Sequence, residues 1–129
     1  VRAIGLAGLL LLVLAGCGKD TIPVVACPDL TQGCRFSIAD QAVQAEAKGP
    51  ISTFRPFDLT IRTAPAAQMT VQFSMLGMEM GPGRYRLQQS SPGIWVGKIM
   101  LPVCIQGRRD WQMLVDMDGK QVLVPFSSS

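Results

Sequence analysis

The stretch Trp111-Gln112-Met113-Leu114-Val115-Asp116-Met117-Asp118-Gly119-Lys120-Gln121-Val122-Leu123-Val124-Pro125-Phe126 decides the fold. In its first half Trp111, Met113 and Val115 alternate with Gln112 and Asp116, the period of two that turns one strand face to a core and the other to water. Asp118-Gly119 then supplies a two-residue hairpin turn, so the expected strands Trp111–Met117 and Gln121–Phe126 pair antiparallel. The same alternation recurs upstream. Val71, Phe73 and Met75 oppose Thr70, Gln72 and Ser74, while Tyr85 and Leu87 oppose Arg84 and Arg86. Further strands are expected at Cys34–Ile38, Ala42–Ala47, Phe57–Thr63, Thr70–Leu76, Arg84–Gln88 and Ile94–Leu101, separated by Gly and Pro punctuation such as Ser91-Pro92-Gly93. No long 3.6-residue period interrupts them. Seven or eight short strands in about 95 residues predict an all-β, immunoglobulin-like antiparallel β-sandwich.

The amino-terminal segment has a different character. An almost unbroken apolar run from Ala3 to Val13 leads into Leu14-Ala15-Gly16-Cys17, which reads as a bacterial lipobox. Small residues at Ala15 and Gly16 admit a signal peptidase to the backbone, and the Cys17 thiol is the side chain able to accept a diacylglyceryl group. Spanning a membrane takes roughly 20 apolar residues, more than Ala3–Gly16 provides, and an ordinary secretory signal has no need of Cys at the first mature position. The expected organisation is a signal peptide over residues 1–16, forming a signal helix, a lipid anchor and tether over 17–33, a β-sandwich over 34–126 and a tail over 127–129. With two or three acyl chains, palmitate among them, anchoring is stable, each buried methylene adding about 0.8 kcal/mol. The predicted location is the periplasmic face of a bacterial membrane. Gly18, where an inner-membrane retention signal carries Asp, favours the outer membrane.

Charge and cysteine usage narrow the partners. The chain carries 12 Lys and Arg against 9 Asp and Glu, with no His, and this mild excess lacks the dense basic face that nucleic acid requires. With Cys17 committed to lipid, Cys27, Cys34 and Cys104 remain in an oxidising compartment where disulfides persist. Three is odd, so one pair and one spare thiol are expected. Cys27 and Cys34 flank the turn-rich Pro28-Asp29-Leu30-Thr31-Gln32-Gly33, which favours their pairing; Cys34 with Cys104, a staple between strands, is the open rival.

Missing residue types exclude much chemistry. Without His there is no Ser-His-Asp arrangement and no ordinary zinc or copper(II) site. Asp116 and Asp118 flank a turn, where solvated carboxylates are the rule. Gly81-Pro82-Gly83 is a turn and no phosphate cradle, since Pro removes a donor amide. A non-catalytic protein is expected. What stands out is Met75-Leu76-Gly77-Met78-Glu79-Met80-Gly81-Pro82-Gly83. Met75 falls in phase with Val71 and Phe73 and belongs to the core, but Met78 and Met80 follow Gly77 in a loop. Thioethers are soft ligands that select copper(I). Strand direction brings Cys104 to the same end of the sandwich, which makes Met78, Met80 and Cys104 a candidate copper(I) site; apolar packing of the loop is the competing explanation. Arg84, Arg86, Arg108 and Arg109 lie near these loops, where they form either a basic rim for a partner or anionic lipid heads, or a solvated face.

The lipoprotein signal, Cys27 and Cys34, Gly77-Met78-Glu79-Met80-Gly81-Pro82-Gly83-Arg84-Tyr85-Arg86-Leu87, Gly93-Ile94-Trp95-Val96-Gly97-Lys98 and Leu101-Pro102-Val103-Cys104 with Trp111 together resemble a group of small proteobacterial lipoproteins. More distantly, residues Cys34 to Phe126 are similar to the YtkA-like and FixH-like envelope domains. That resemblance implies an immunoglobulin-like sandwich and a role in copper handling or cytochrome oxidase assembly; the expected partner is a periplasmic copper chaperone or another envelope protein. This chain departs from those families in having no His beside its methionines, which leaves copper(I) as the cofactor to consider.

Overall fold

The structure, a computed structural model, describes residues 21–52, 55–75, 83–102 and 109–128. Within them the chain forms nine strands: β1 (Cys34–Ile38), β2 (Gln41–Lys48), β3 (Phe57–Thr63), β4 (Met69–Met75), β5 (Arg84–Arg86), β6 (Gln88–Ser91), β7 (Ile94–Ile99), β8 (Asp110–Met117) and β9 (Lys120–Ser127). They make two antiparallel sheets, ordered β1-β2-β3-β7-β6 and β5-β4-β8-β9. Setting aside β1, an added edge strand, these orders are the A-B-E-D and C′-C-F-G orders of an immunoglobulin-like sandwich. The alternation read from sequence sets which faces meet. Val71, Phe73 and Met75 of β4, Trp111, Met113 and Val115 of β8, and Leu59 and Ile61 of β3 all point inward and are buried.

Two hairpins show how local chemistry sets register. Asp118 and Gly119 have φ of 54° and 87°, the two positive values of a type I′ turn, which matches the twist of the flanking strands. Asp116 accepts from Gly119 N at 2.9 Å and from Gln121 Nε2 at 3.1 Å. Asp118 accepts from Ala67 N at 3.0 Å and Gln68 N at 2.7 Å. Both carboxylates therefore hold turns. Ala39-Asp40 makes an equivalent turn between β1 and β2, with φ of 48° and 66°, although its composition does not announce one.

The expected strand Arg84–Gln88 is in fact two strands in different sheets. β5 pairs with β4 (Thr70 with Arg86) and β6 pairs with β7 (Gln88 with Val96), so the chain changes sheet at Leu87. The reason is packing. A Cβ on Gly97 would lie 2.4 Å from Leu87 Cδ2: the space a side chain would occupy is taken by buried Leu87, which pins the crossover over β7. Strand β7 also ends earlier than expected, at Ile99.

Directions define two ends. The turns at Ala39-Asp40, Ala64–Gln68, Ser91–Gly93 and Asp118-Gly119 form a hairpin end. Met75 pairs with Trp111 and Phe57 with Ile99 at the opposite, loop end.

The packed unit reaches beyond 34–126 on both sides. Residues 21–25 form a strap running parallel to β9 through a bridge between Val24 and Leu123. Val25 N donates to Leu123 O at 2.9 Å, and Leu123 N to Pro23 O at 2.8 Å. The strap covers part of a sheet edge that would otherwise offer unpaired backbone groups. Two residues on, Pro125 has no N–H to present on that edge, and the strap leaves it for Cys27. Cys27 and Leu30 are core residues, and Ser128 is buried at the other terminus. The expected signal peptide, residues 1–16, lies outside the described residues.

Cys27 and Cys34 form a disulfide with Cα atoms 5.6 Å apart, so Cys34–Cys104 is ruled out. The bridge fastens the strap, on β9, to β1 of the other sheet. Closing so short a loop constrains the unfolded chain by about 2–3 kcal/mol. A Cys27→Ser, Cys34→Ser double variant is expected to lose that amount in urea unfolding, and added reductant to shift the wild type toward it.

Candidate functional site

Cys17, Met78, Met80, Cys104 and Arg108 lie outside the described residues; the residues that flank them are described. Met75 ends β4 and is fully buried, as its phase with Val71 and Phe73 requires. Gly83 returns beside the same strand, its carbonyl accepting from Phe73 N at 3.0 Å. Leu101 and Pro102 follow β7, and Arg109 precedes β8. The segments 76–82 and 103–108 thus begin and end at the loop end, on strands of sheets that pack about 10 Å apart.

The described residues of the loop end are tied together. Tyr85 is half-buried; its ring meets Phe73 edge-on at 6.0 Å, and its hydroxyl donates to Met100 O at 2.8 Å and accepts from Met100 N at 3.3 Å. This hydroxyl stands in for the strand that β7 loses when the chain crosses at Leu87. On the other side Trp111 Nε1 donates to Ser128 Oγ at 3.2 Å, and Ser128 N donates to Arg109 O at 2.9 Å. Sequence alternation placed Tyr85 on the inward face but could not show this clamp, because Met100 is distant in sequence and meets it only across the sheets.

The described arginines do not all lie together. Arg84 pairs with Gln72 and Arg86 with Thr70, which sets Arg86 about 7 Å further from the loop end. Arg86 lines an open cleft of about 420 Å³ at the sheet crossover with Asp58, Gln88, Val96, Gly97 and Lys98. Arg109, just before β8, is exposed at the loop end, and Pro102, after β7, is exposed as well. Met100, 47 % exposed, adds an apolar side chain there.

The most specific strand motif, Gly93-Ile94-Trp95-Val96-Gly97, is accounted for by the fold. Gly93 has φ of 77° and its position would bring a Cβ to 2.6 Å from Thr63 O; Gly97 makes room for Leu87. Trp95 is buried between the sheets, and among the described residues its Nε1 has no hydrogen-bond partner. Burying that donor unpaired costs about 1–3 kcal/mol, against the larger gain from burying the indole. No protein-family model, curated protein or solved structure matches the chain, and a functional reading rests on its own residues and fold.

Proposed function

We propose that the chain is a non-catalytic, lipid-anchored protein of the bacterial envelope that binds copper(I), or a periplasmic copper chaperone, at the end carrying Met78, Met80 and Cys104 in copper homeostasis or oxidase maturation. The observation that supports this reading is that Met75, Gly83, Pro102 and Arg109, which flank both ligand-bearing segments, belong to one end of the sandwich. Two thioethers and a thiolate are a soft donor set suited to copper(I). The lipid anchor follows from Leu14-Ala15-Gly16-Cys17.

Anaerobic titration with copper(I) against a competing chelator tests the site. One equivalent is expected to bind, and Met78→Leu, Met80→Leu or Cys104→Ser is expected to weaken binding by more than the 10–100-fold that outer-shell changes cause (roughly 100-fold or beyond). Leu nearly conserves the volume of Met, so an unchanged melting temperature in the double Leu variant separates ligation from packing. Failure of the wild type to compete for copper(I) would overturn the metal site. A second reading, an adaptor that presents this end to an envelope protein, is favoured by Met100, Arg84 and Arg109, all exposed; it predicts that the double Leu variant retains full function.

A further inference from the structure

We infer that the anchored protein meets the bilayer with its hairpin end and holds its loop end out into the periplasm; the inference rests on the lipid-anchor part of the proposed function. Direction comes from the strap. Residues 21–25 run parallel to β9, and β9 runs from the turn at Asp118-Gly119 toward Ser127 at the loop end. Followed backwards from Val24, beside Leu123 midway along β9, the chain therefore heads toward the hairpin end as it approaches Thr21. Cys17 lies four residues before Thr21, a length that reaches at most about 14 Å when fully extended. The eight residues of β9 span about 26 Å at 3.3 Å each. A tether this short cannot wrap the length of the sandwich, so the loop end stays away from the acyl chains.

Surface chemistry at the hairpin end fits a lipid headgroup region. Its turns expose small or uncharged residues, among them Ala64, Pro65, Ala67 and Pro92, together with the charged Asp40 and Lys120. The Asp118 carboxylate accepts from the amides of Ala67 and Gln68, which holds it against the neighbouring turn. Ile22 is 41 % exposed on the strap, on the tether side of Val24, where an apolar side chain can enter the interface. The partner is thus the bilayer surface itself, held by the lipids on Cys17 and touched by Ile22 and the turns.

The test uses the full acylated chain in vesicles carrying a headgroup-attached nitroxide quencher. A small fluorescent amino acid is encoded in place of Ala64, at the hairpin end, or Lys48, exposed at the loop end. Quenching is expected to be several-fold stronger at position 64, and insertion of a Gly/Ser linker between Asp20 and Thr21 is expected to bring the two positions toward equality. Equal quenching without the linker, in protein that floats with the vesicles, would overturn the orientation and leave the anchor standing. Protein that neither carries acyl mass nor floats would overturn the anchor and the orientation together.

Discussion

Replacing Phe73 by Ala is expected to lower the unfolding free energy by about 3–5 kcal/mol, the largest loss for any single side chain considered. Phe73 is buried in β4 and meets three rings edge-on: Phe57 of β3 at 6.2 Å, Tyr85 of β5 at 6.0 Å and Phe126 of β9 at 6.0 Å. One ring thus joins the facing sheet to an edge strand and to the last strand. Edge-on aromatic pairs add about 0.5–1.5 kcal/mol beyond their buried area, which places Phe73→Ala toward the upper part of the range. At about 4–8 °C per kcal/mol for a domain of this size, the melting temperature should fall by about 12–40 °C. Phe73→Leu keeps most of the volume and should lose less than half as much. Denaturant unfolding followed by Trp fluorescence reads both, and a loss near 1 kcal/mol for the Ala variant would show that the three rings do not share Phe73 as their hub.

The second large effect is expected at Gly93, and its size is isolated by comparison with Gly119. Both have positive φ, 77° and 87°, so Ala at either pays a left-handed penalty of about 1 kcal/mol. Around Gly119 an added Cβ meets nothing within 4 Å, whereas at Gly93 it lies 2.6 Å from the backbone oxygen of Thr63. That oxygen cannot swing aside like the end of a side chain. Moving it also disturbs the bond from Thr63 N to Gly93 O, 2.9 Å long. Gly93→Ala should therefore cost about 2–4 kcal/mol, adding about 1–3 of overpacking to the backbone term, while Gly119→Ala costs about 1. Equal midpoint shifts for the two variants would mean that the Thr63 carbonyl is free to retreat.

If the proposed orientation and copper(I) site both hold, the fold separates anchoring from exchange. The proposed lipid and the strap would act at one end, and the segments that carry Met78, Met80 and Cys104 start from residues at the other, where a chaperone diffusing in the periplasm can reach them. The disulfide matters to this division because it secures the strap to β1 at the point where it leaves β9.

Much of the sandwich was legible because its signals are local. Alternation in Thr70–Met75 and Trp111–Met117 is dictated by the pleat, and the hairpin at Asp118-Gly119 by the backbone conformations those residues tolerate. The departures have non-local causes. Arg84–Gln88 reads as one continuous strand, and it divides because Leu87 finds its space over Gly97 on another strand. Ala39-Asp40 turns without a glycine because β1 and β2 hold it in place from both sides. The region 17–33 reads as a tether, yet part of it is a strap because the edge of β9 offers it hydrogen bonds. In the candidate site, the burial of Met75 was legible from its phase alone, while the Tyr85 hydroxyl clamp and the placement of Arg86 in a separate cleft were not.

The sequence by itself determined the residue chemistry, the strand faces and the all-β class, because each depends on neighbours within a few positions along the chain. Tertiary structure alone decided that Cys34 pairs with Cys27, that the chain changes sheet at Leu87, and that the strap, followed backwards, heads toward the hairpin end. Those outcomes depend on which surfaces meet, and side chains distant in sequence become competitors for one space, one hydrogen bond or one sheet edge only after the sheets have packed.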